Sequence, residues 1–176
     1  ALDGKESAVA ASKLLNSETD ADVIESLLEI VAKGGTDDAL VTLQKYLDSE
    51  DRELRHRAIA TLRRLKNVRG ARMLAPLLEN SDHETRRLAA EAVGQLKQKS
   101  VVPALQELVK SDSEDQVRAA AARALGELKD EDSAQVLEDA LRDCRLVKCQ
   151  VVIALGMLGR KDTIPALLAQ LREAAP

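Results

Sequence analysis

Val117-Arg118-Ala119-Ala120-Ala121-Ala122-Arg123-Ala124-Leu125-Gly126-Glu127-Leu128 decides the fold, because the chain writes this stretch more than once. Residues 85–96 run Thr-Arg-Arg-Leu-Ala-Ala-Glu-Ala-Val-Gly-Gln-Leu, and residues 147–158 end in Ile153-Ala154-Leu155-Gly156-Met157-Leu158. The same frame extends back through 54–65 and, more weakly, 23–34. One apolar column holds Val31, Leu62, Val93, Leu125 and Leu155, at spacings of 31, 31, 32 and 30. A second follows each anchor by 16 residues, at Leu47, Leu78, Val109, Leu141 and Leu171. A fixed period near 31 marks a repeat array.

Each unit reads as two helices. Leu54, Ala58, Thr61, Leu62 and Leu65, like Val117, Ala121, Ala124, Leu125 and Leu128, fall on one face of a 3.6-residue turn. The second helix shows the same habit at Leu40, Leu43, Leu47 and at Val102, Leu105, Val109. Short polar connectors such as 129–132 and 159–162 separate the two, with Ser100 and Thr163 placed to cap the helix that follows. Pro103 and Pro165 occupy a first turn, where a missing N–H costs little. Pro76 lies deeper and should kink or shorten its helix. Nothing alternates with period 2, which excludes strand-containing leucine-rich repeats. Residues 5–16 match the second helix alone. The expected organisation is therefore one repeat domain over 1–176: a half repeat at 5–16, then repeats at about 19–48, 50–79, 81–110, 113–142 and 144–173. Beginning on half a unit, and without Met, is what a piece cut from a longer protein would show. Its uncapped apolar face invites self-association.

Composition removes whole classes of function. The chain has 176 residues, 45% hydrophobic and 32% charged, yet Tyr46 is its one aromatic. Base-stacking platforms, sugar clefts and aromatic cages for cations need rings that are absent here. No run of 18 apolar residues codes a transmembrane helix. The start at Ala1 shows no secretory-signal pattern, and two cysteines, Cys144 and Cys149, suit a reducing compartment, so the expected location is cytoplasmic. Charge is uneven. Residues 1–50 carry net −7, 51–110 net +6, and 111–176 net −3.

Chemistry finds little purchase. Gly34-Gly35 is an isolated pair and not a phosphate loop. His56 and His83 lie far along the array from both cysteines, so no nucleophile–base arrangement is visible and no metal set has ligand spacing. No catalytic residue, metal or cofactor is expected. Recurring charges read as structure: Asp20, Asp51, Asp82 and Glu114 stand where they cap first helices, four residues before Arg55, Arg86, Arg118 and Lys148. The basic column would pair with acids of its own or a neighbouring unit. Gly94, Gly126 and Gly156 share a column whose task is close approach between helices.

The unit Asp-x-x-Val-Arg-x-x-Ala-Ala-x-Ala-Leu-Gly-x-Leu, standing here as 114–128, and the Pro-Ala-Leu-x-x-Leu helix at 103–108 resemble the HEAT-like repeat of bilin-lyase-type proteins. The resemblance covers nearly the whole chain. It implies an all-α, right-handed α-solenoid of stacked antiparallel helix pairs, with second helices lining the concave side. Deoxyhypusine hydroxylase is built on similar repeats and holds iron with recurring His-Glu pairs. The corresponding positions here, Glu25, His56, Arg87, Ala119 and Cys149, do not reproduce them.

Such a surface suits a non-enzymatic scaffold for a partner protein or peptide. Its candidate binding residues are Arg72, Gln106, Lys110, Gln135, Glu138 and Arg142, in the columns that also hold Val41, Pro103, Gln44 and Asp48. A first alternative is a polyanion or nucleic acid held by the basic segment 52–72, with Arg52, Arg57, Arg63, Arg64 and Arg69 as its cations. Most of these belong to a first helix, which should face the convex side. A second alternative is a bilin lyase-type or chromophore-handling accessory, though a linear tetrapyrrole prefers an aromatic-lined cleft.

Overall fold

The computed structural model describes residues 4–34, 36–64, 66 and 70–160. Among them every regular element is helical: α1 Gly4–Leu14, α2 Ala21–Gly34, α3 Asp37–Leu47, α4 Arg52–Arg64, α5 His83–Gln95, α6 Val102–Ser111, α7 Asp115–Leu128, α8 Ala134–Asp139 and α9 Arg145–Met157. Gly70–Glu79 winds as a tighter 3-10 helix. Pro76 sits inside it, in keeping with the expected disruption, because its ring lacks the N–H that an α-turn needs. Two units divide the chain, Ala1–Leu74 and Ala75–Pro176. Within the first, α2 packs on α1, α3 and α4. Within the second, α7 packs between α5 and α9 and against α6. The second helix of the last repeat, with Pro165, Leu168, Leu171 and Arg172, lies outside the described residues, as do Leu65 and Arg69.

The apolar columns make the core. Val31, Leu62, Val93, Leu125 and Leu155 are all fully buried, as are Leu47 and Leu78. Each such side chain contributes about 1.5–3 kcal/mol of transfer free energy. Leu141, expected in the second column, is only half-buried. The helix there leaves α geometry after Asp139 for a 3-10 turn, Ala140–Arg142. Tighter winding rotates residue 141 off the stripe, and Leu137 is the fully buried residue of that helix. Tyr46 is core as well; its hydroxyl donates to the carbonyl of Leu15 at 3.0 Å, and burial raises its pKa.

Caps follow the acid column with one exception. Asp20 accepts from the N–H groups of Asp22 and Val23, Asp51 from those of Glu53 and Leu54, and Asp82 from that of Thr85. Glu114 takes the N-cap position of α7 without a side-chain cap bond. Ser100 is no cap: it lies in a 3-10 turn, Lys99–Val101, ahead of α6, and its hydroxyl accepts from the Gln98 amide. At the other end of α7, Lys129 adopts φ 54°, and its N–H bonds back to the carbonyls of Gly126 and Leu125. Lys66 and Lys97, at the same place in their repeats, are left-handed too.

Gly94 and Gly126 of the glycine column stand where helices approach closely. A Cβ on Gly94 would stand 2.8 Å from the Ala124 Cα, and one on Gly126 would stand 2.5 Å from the Ala154 Cα. Both distances are to backbone, so neither helix pair could accept a side chain without separating.

Candidate functional site

Two arginines repeat one geometry in the second unit. Arg86 donates from Nε and Nη2 to the two carboxylate oxygens of Asp112, at 2.7 and 2.9 Å, and from Nη1 to the carbonyls of Asn80 and Ser81. Arg118 does the same to Asp143 at 2.6 and 2.8 Å, and to the carbonyls of Asp112 and Ser113. Each fork thus fastens a helix both to the connector before it and to the connector after the next helix. The Arg118 bond holds the Asp143 carboxyl below its ordinary pKa, more than offsetting burial. For Asp112, burial acts upward, but the Arg86 bond and the Glu114 N–H prevail and hold it low. Arg55, one repeat earlier, keeps the carbonyl half of the motif through Ser49 at 2.6 Å. Arg86 and Arg118 of the charge ladder are therefore engaged in holding helices to connectors.

The second-helix face offers freer side chains. Lys110, Gln135 and Arg142 are exposed. A cavity of about 320 Å³ lies between α6 and the α8 region, lined by Val109, Lys110, Val136, Asp139, Ala140 and Asp143. Gln106 and Glu138 are more committed than the repeat pattern suggests. Gln106 donates to the buried Ser133 hydroxyl at 2.9 Å, and Glu138 accepts from Arg160 at 2.8 Å. In the first unit, Arg72 is exposed, and Val41 stands on the same face, the most exposed of the large apolar residues.

Cations of the basic segment are largely answered by acids. Arg57 bonds Glu25 at 2.7 Å, Glu53 at 3.1 Å and Asp22 at 3.3 Å. Its burial favours loss of the proton, but these carboxylates outweigh it and raise the pKa. Arg64 pairs with Glu25 and Glu29. Arg52 is exposed and Arg63 half-buried, and each has a partner of its own. Arg69 lies outside the described residues. The acids of α2 thus dilute the one-sign surface a phosphate groove needs.

Repeat reasoning missed a groove of about 280 Å³ on the first-helix side of the second unit. Its floor is Ala119 and Ala120 of α7, between Arg87 and Glu91 of α5 and Leu146 and Gln150 of α9. The signal was present: the same places carry His56-Arg57 and Arg87-Leu88 in other repeats, and two alanines leave a gap. Among the described residues no three His, Cys, Asp or Glu side chains stand together as a metal site. No described helix is long and apolar enough to cross a membrane.

Comparison with known proteins agrees with this geometry. A family model described as HEAT repeats matches residues 9–92 and again 71–146. No curated protein matches the chain. Among solved structures, it is similar to the complex of CpcE and CpcF of phycocyanin lyase from Nostoc sp. PCC7120, with TM-score 0.69 and 21% identity over 97% of this chain and 70% of that one. A designed armadillo repeat protein in complex with the peptide (KR)4 aligns at TM-score 0.58 and 19% identity, over 95% and 92% of the two chains. Human deoxyhypusine hydroxylase aligns at TM-score 0.51 and 17% identity, over 88% and 74%. Identities this low show the fold, an all-α helical repeat, and nothing finer.

Proposed function

The chain belongs to the HEAT-repeat family, and from that premise we propose that it is a non-enzymatic scaffold holding a partner protein or peptide on its second-helix face. One observation carries the reading. On that face of the second unit, Lys110, Asp139 and Asp143 line a cavity of about 320 Å³ with an apolar wall of Val109, Val136 and Ala140, and Gln135 and Arg142 are exposed in the adjoining α8 region. Mixed polar side chains around a small apolar recess fit a hydrogen-bonded interface built from many modest contacts. Gln106 and Glu138 serve it indirectly, by fixing the helices that present the others. The relatives supply precedent for partner binding: one is a complex of two proteins, and another holds a basic peptide. The acids bound to Arg57 and Arg64 weigh against the polyanion alternative.

Affinity capture from the source lysate tests this, with Lys110→Glu/Arg142→Glu beside the unaltered chain and nuclease added to half the samples. The expected result is a protein retained by the chain, lost with the double variant and indifferent to nuclease. Capture that survives the double variant would overturn the assignment of the face. Capture that disappears with nuclease would move the reading to the arginines of 52–72.

A further inference from the structure

Two opposite charges face the recess of the second-helix side without meeting. Lys110 stands in the last turn of α6 and Asp139 at the end of α8, and both line the cavity of about 320 Å³. Both are exposed. Among the described residues neither forms an ion pair, with the other or with a third group. Asp139 accepts one hydrogen bond, from the Gln135 amide at 3.1 Å, which leaves its charge unneutralised. Neighbouring charges take neither role. Asp143, also in the lining, has both carboxylate oxygens bonded to Arg118 and one of them to the Cys144 N–H as well. Glu107, one turn before Lys110, accepts from the Ser111 hydroxyl and lies outside the lining, as does Arg142, one turn after Asp139.

Bonds behind the recess fix its walls. Gln106 of α6 donates to the buried Ser133 hydroxyl, which donates in turn to Asp130, so α6 is tied to the turn that starts α8. Arg118 ties the connector at Asp143 to α7. Val109, 2% exposed, forms the apolar wall with Val136 and Ala140. A pocket whose walls are already ordered loses little freedom on taking a ligand. An apolar side chain seated in it brings its chain neighbours to the two rims. There an acid answers Lys110 and a base answers Asp139. A peptide with one sign of charge gains at one rim and is repelled at the other.

We propose that this recess anchors one apolar side chain of an extended partner peptide and selects an acidic residue on one side of it and a basic residue on the other, with Lys110 meeting the acid and Asp139 the base. The inference rests on the second-helix face as the binding surface and adds what the partner presents there. In an extended chain alternate side chains point the same way, so acid, anchor and base two residues apart share one face. Exposed ion pairs add little affinity, so the two charges act mainly by discrimination between peptides.

Four end-capped peptides test this: Glu-Ser-Leu-Ser-Lys, the reverse order, and versions with two glutamates or two lysines. Amide chemical-shift titration of the isotope-labelled chain reads weak binding residue by residue, and shifts are expected at Val109, Val136 and Ala140. One of the mixed orders should bind at least about fivefold more tightly than either like-charged peptide. Lys110→Glu should transfer the preference to the two-lysine peptide, and Asp139→Lys to the two-glutamate peptide. Both sites are exposed, and circular dichroism of each variant checks that the fold is kept. Glycine in place of the peptide leucine should remove the shifts. Equal affinity for all four peptides, or preferences that ignore the charge reversals, would overturn the proposal and leave the second-helix face standing. Absence of shifts at all three residues would also overturn it. Failure of the face itself is read separately, from capture that survives Lys110→Glu/Arg142→Glu. A dimer of the chain alone that Lys110→Glu returns to monomer would make the recess a self-interface and overturn the proposal too.

Discussion

Removing the Asp112 carboxylate tests whether the arginine forks hold the repeats together. Its side chain is 4% exposed and accepts two charge-assisted bonds from Arg86, itself 14% exposed. Asp112→Leu strips Arg86 of both, leaving only the Asn80 and Ser81 carbonyls. It spares the Asp112 carbonyl that Arg118 uses. Breaking a buried pair from one side costs about 3–5 kcal/mol, and some water reaches Arg86, so about 2–3 kcal/mol is expected. That corresponds to roughly 5–10 °C in Tm for a chain of this size. Arg86→Met should cost a similar amount, because the carboxylate keeps only the Glu114 N–H. The double variant should return to within about 1 kcal/mol of the unaltered chain, since removing both partners leaves no stranded charge. Urea unfolding followed at 222 nm measures all four corners of the cycle. The acid limb adds a signed check. Asp112 has a folded pKa below its unfolded value of about 3.9, so the contribution of the pair is complete above that pH and is lost as pH falls through the folded pKa. The double variant should lose less stability than the unaltered chain on going from pH 5 to pH 2, two values flanking about 3.9. Strictly additive single costs would refute the reasoning.

Three smaller substitutions test backbone geometry. Gly126→Ala gains about 1 kcal/mol of helix propensity, yet its Cβ would strike the Ala154 backbone; net destabilisation of about 1–2 kcal/mol by urea titration is expected, and a more stable variant would show that α7 and α9 part freely. Lys129→Gly relieves a left-handed residue and should stabilise by about 0.5–1 kcal/mol. Lys97→Gly should gain less in the same assay, because the Lys97 ammonium donates to the Glu127 carbonyl at the end of α7 and that bond would be lost.

How much of this was legible in the sequence follows from which forces are periodic. Burial acts identically on every unit, so Val31, Leu62, Val93, Leu125 and Leu155 could be placed in the core from spacing alone. Helix caps are local, and the acids at 20, 51 and 82 announced themselves for the same reason. The partner of Arg86 stands 26 residues away in a connector of variable length, so only the kind of partner could be foreseen. Ser100 and Leu141 failed where α geometry gives way to a 3-10 turn, a change of pitch that hydrophobic pattern does not encode. The left-handed column was half visible, since Gly35 and Gly159 occupy the place taken by Lys66, Lys97 and Lys129 in other repeats.

The candidate sites obey the opposite logic. Averaging over repeats brings out what every unit shares, which is the fold, and it suppresses what one unit does alone. Lys110 and Arg142 could be assigned to a face by column, but the recess beside them depends on how α6 and the shortened α8 meet. Leu146 and Met157 stand in columns that are polar in every earlier repeat, and Ile153 in one otherwise held by Glu29, Ala60, Glu91 and Arg123. An exposed apolar side chain in a column that is otherwise mostly polar is not required by the core, and it raises the risk of aggregation. In a repeat protein, then, the search for function begins by subtracting the consensus.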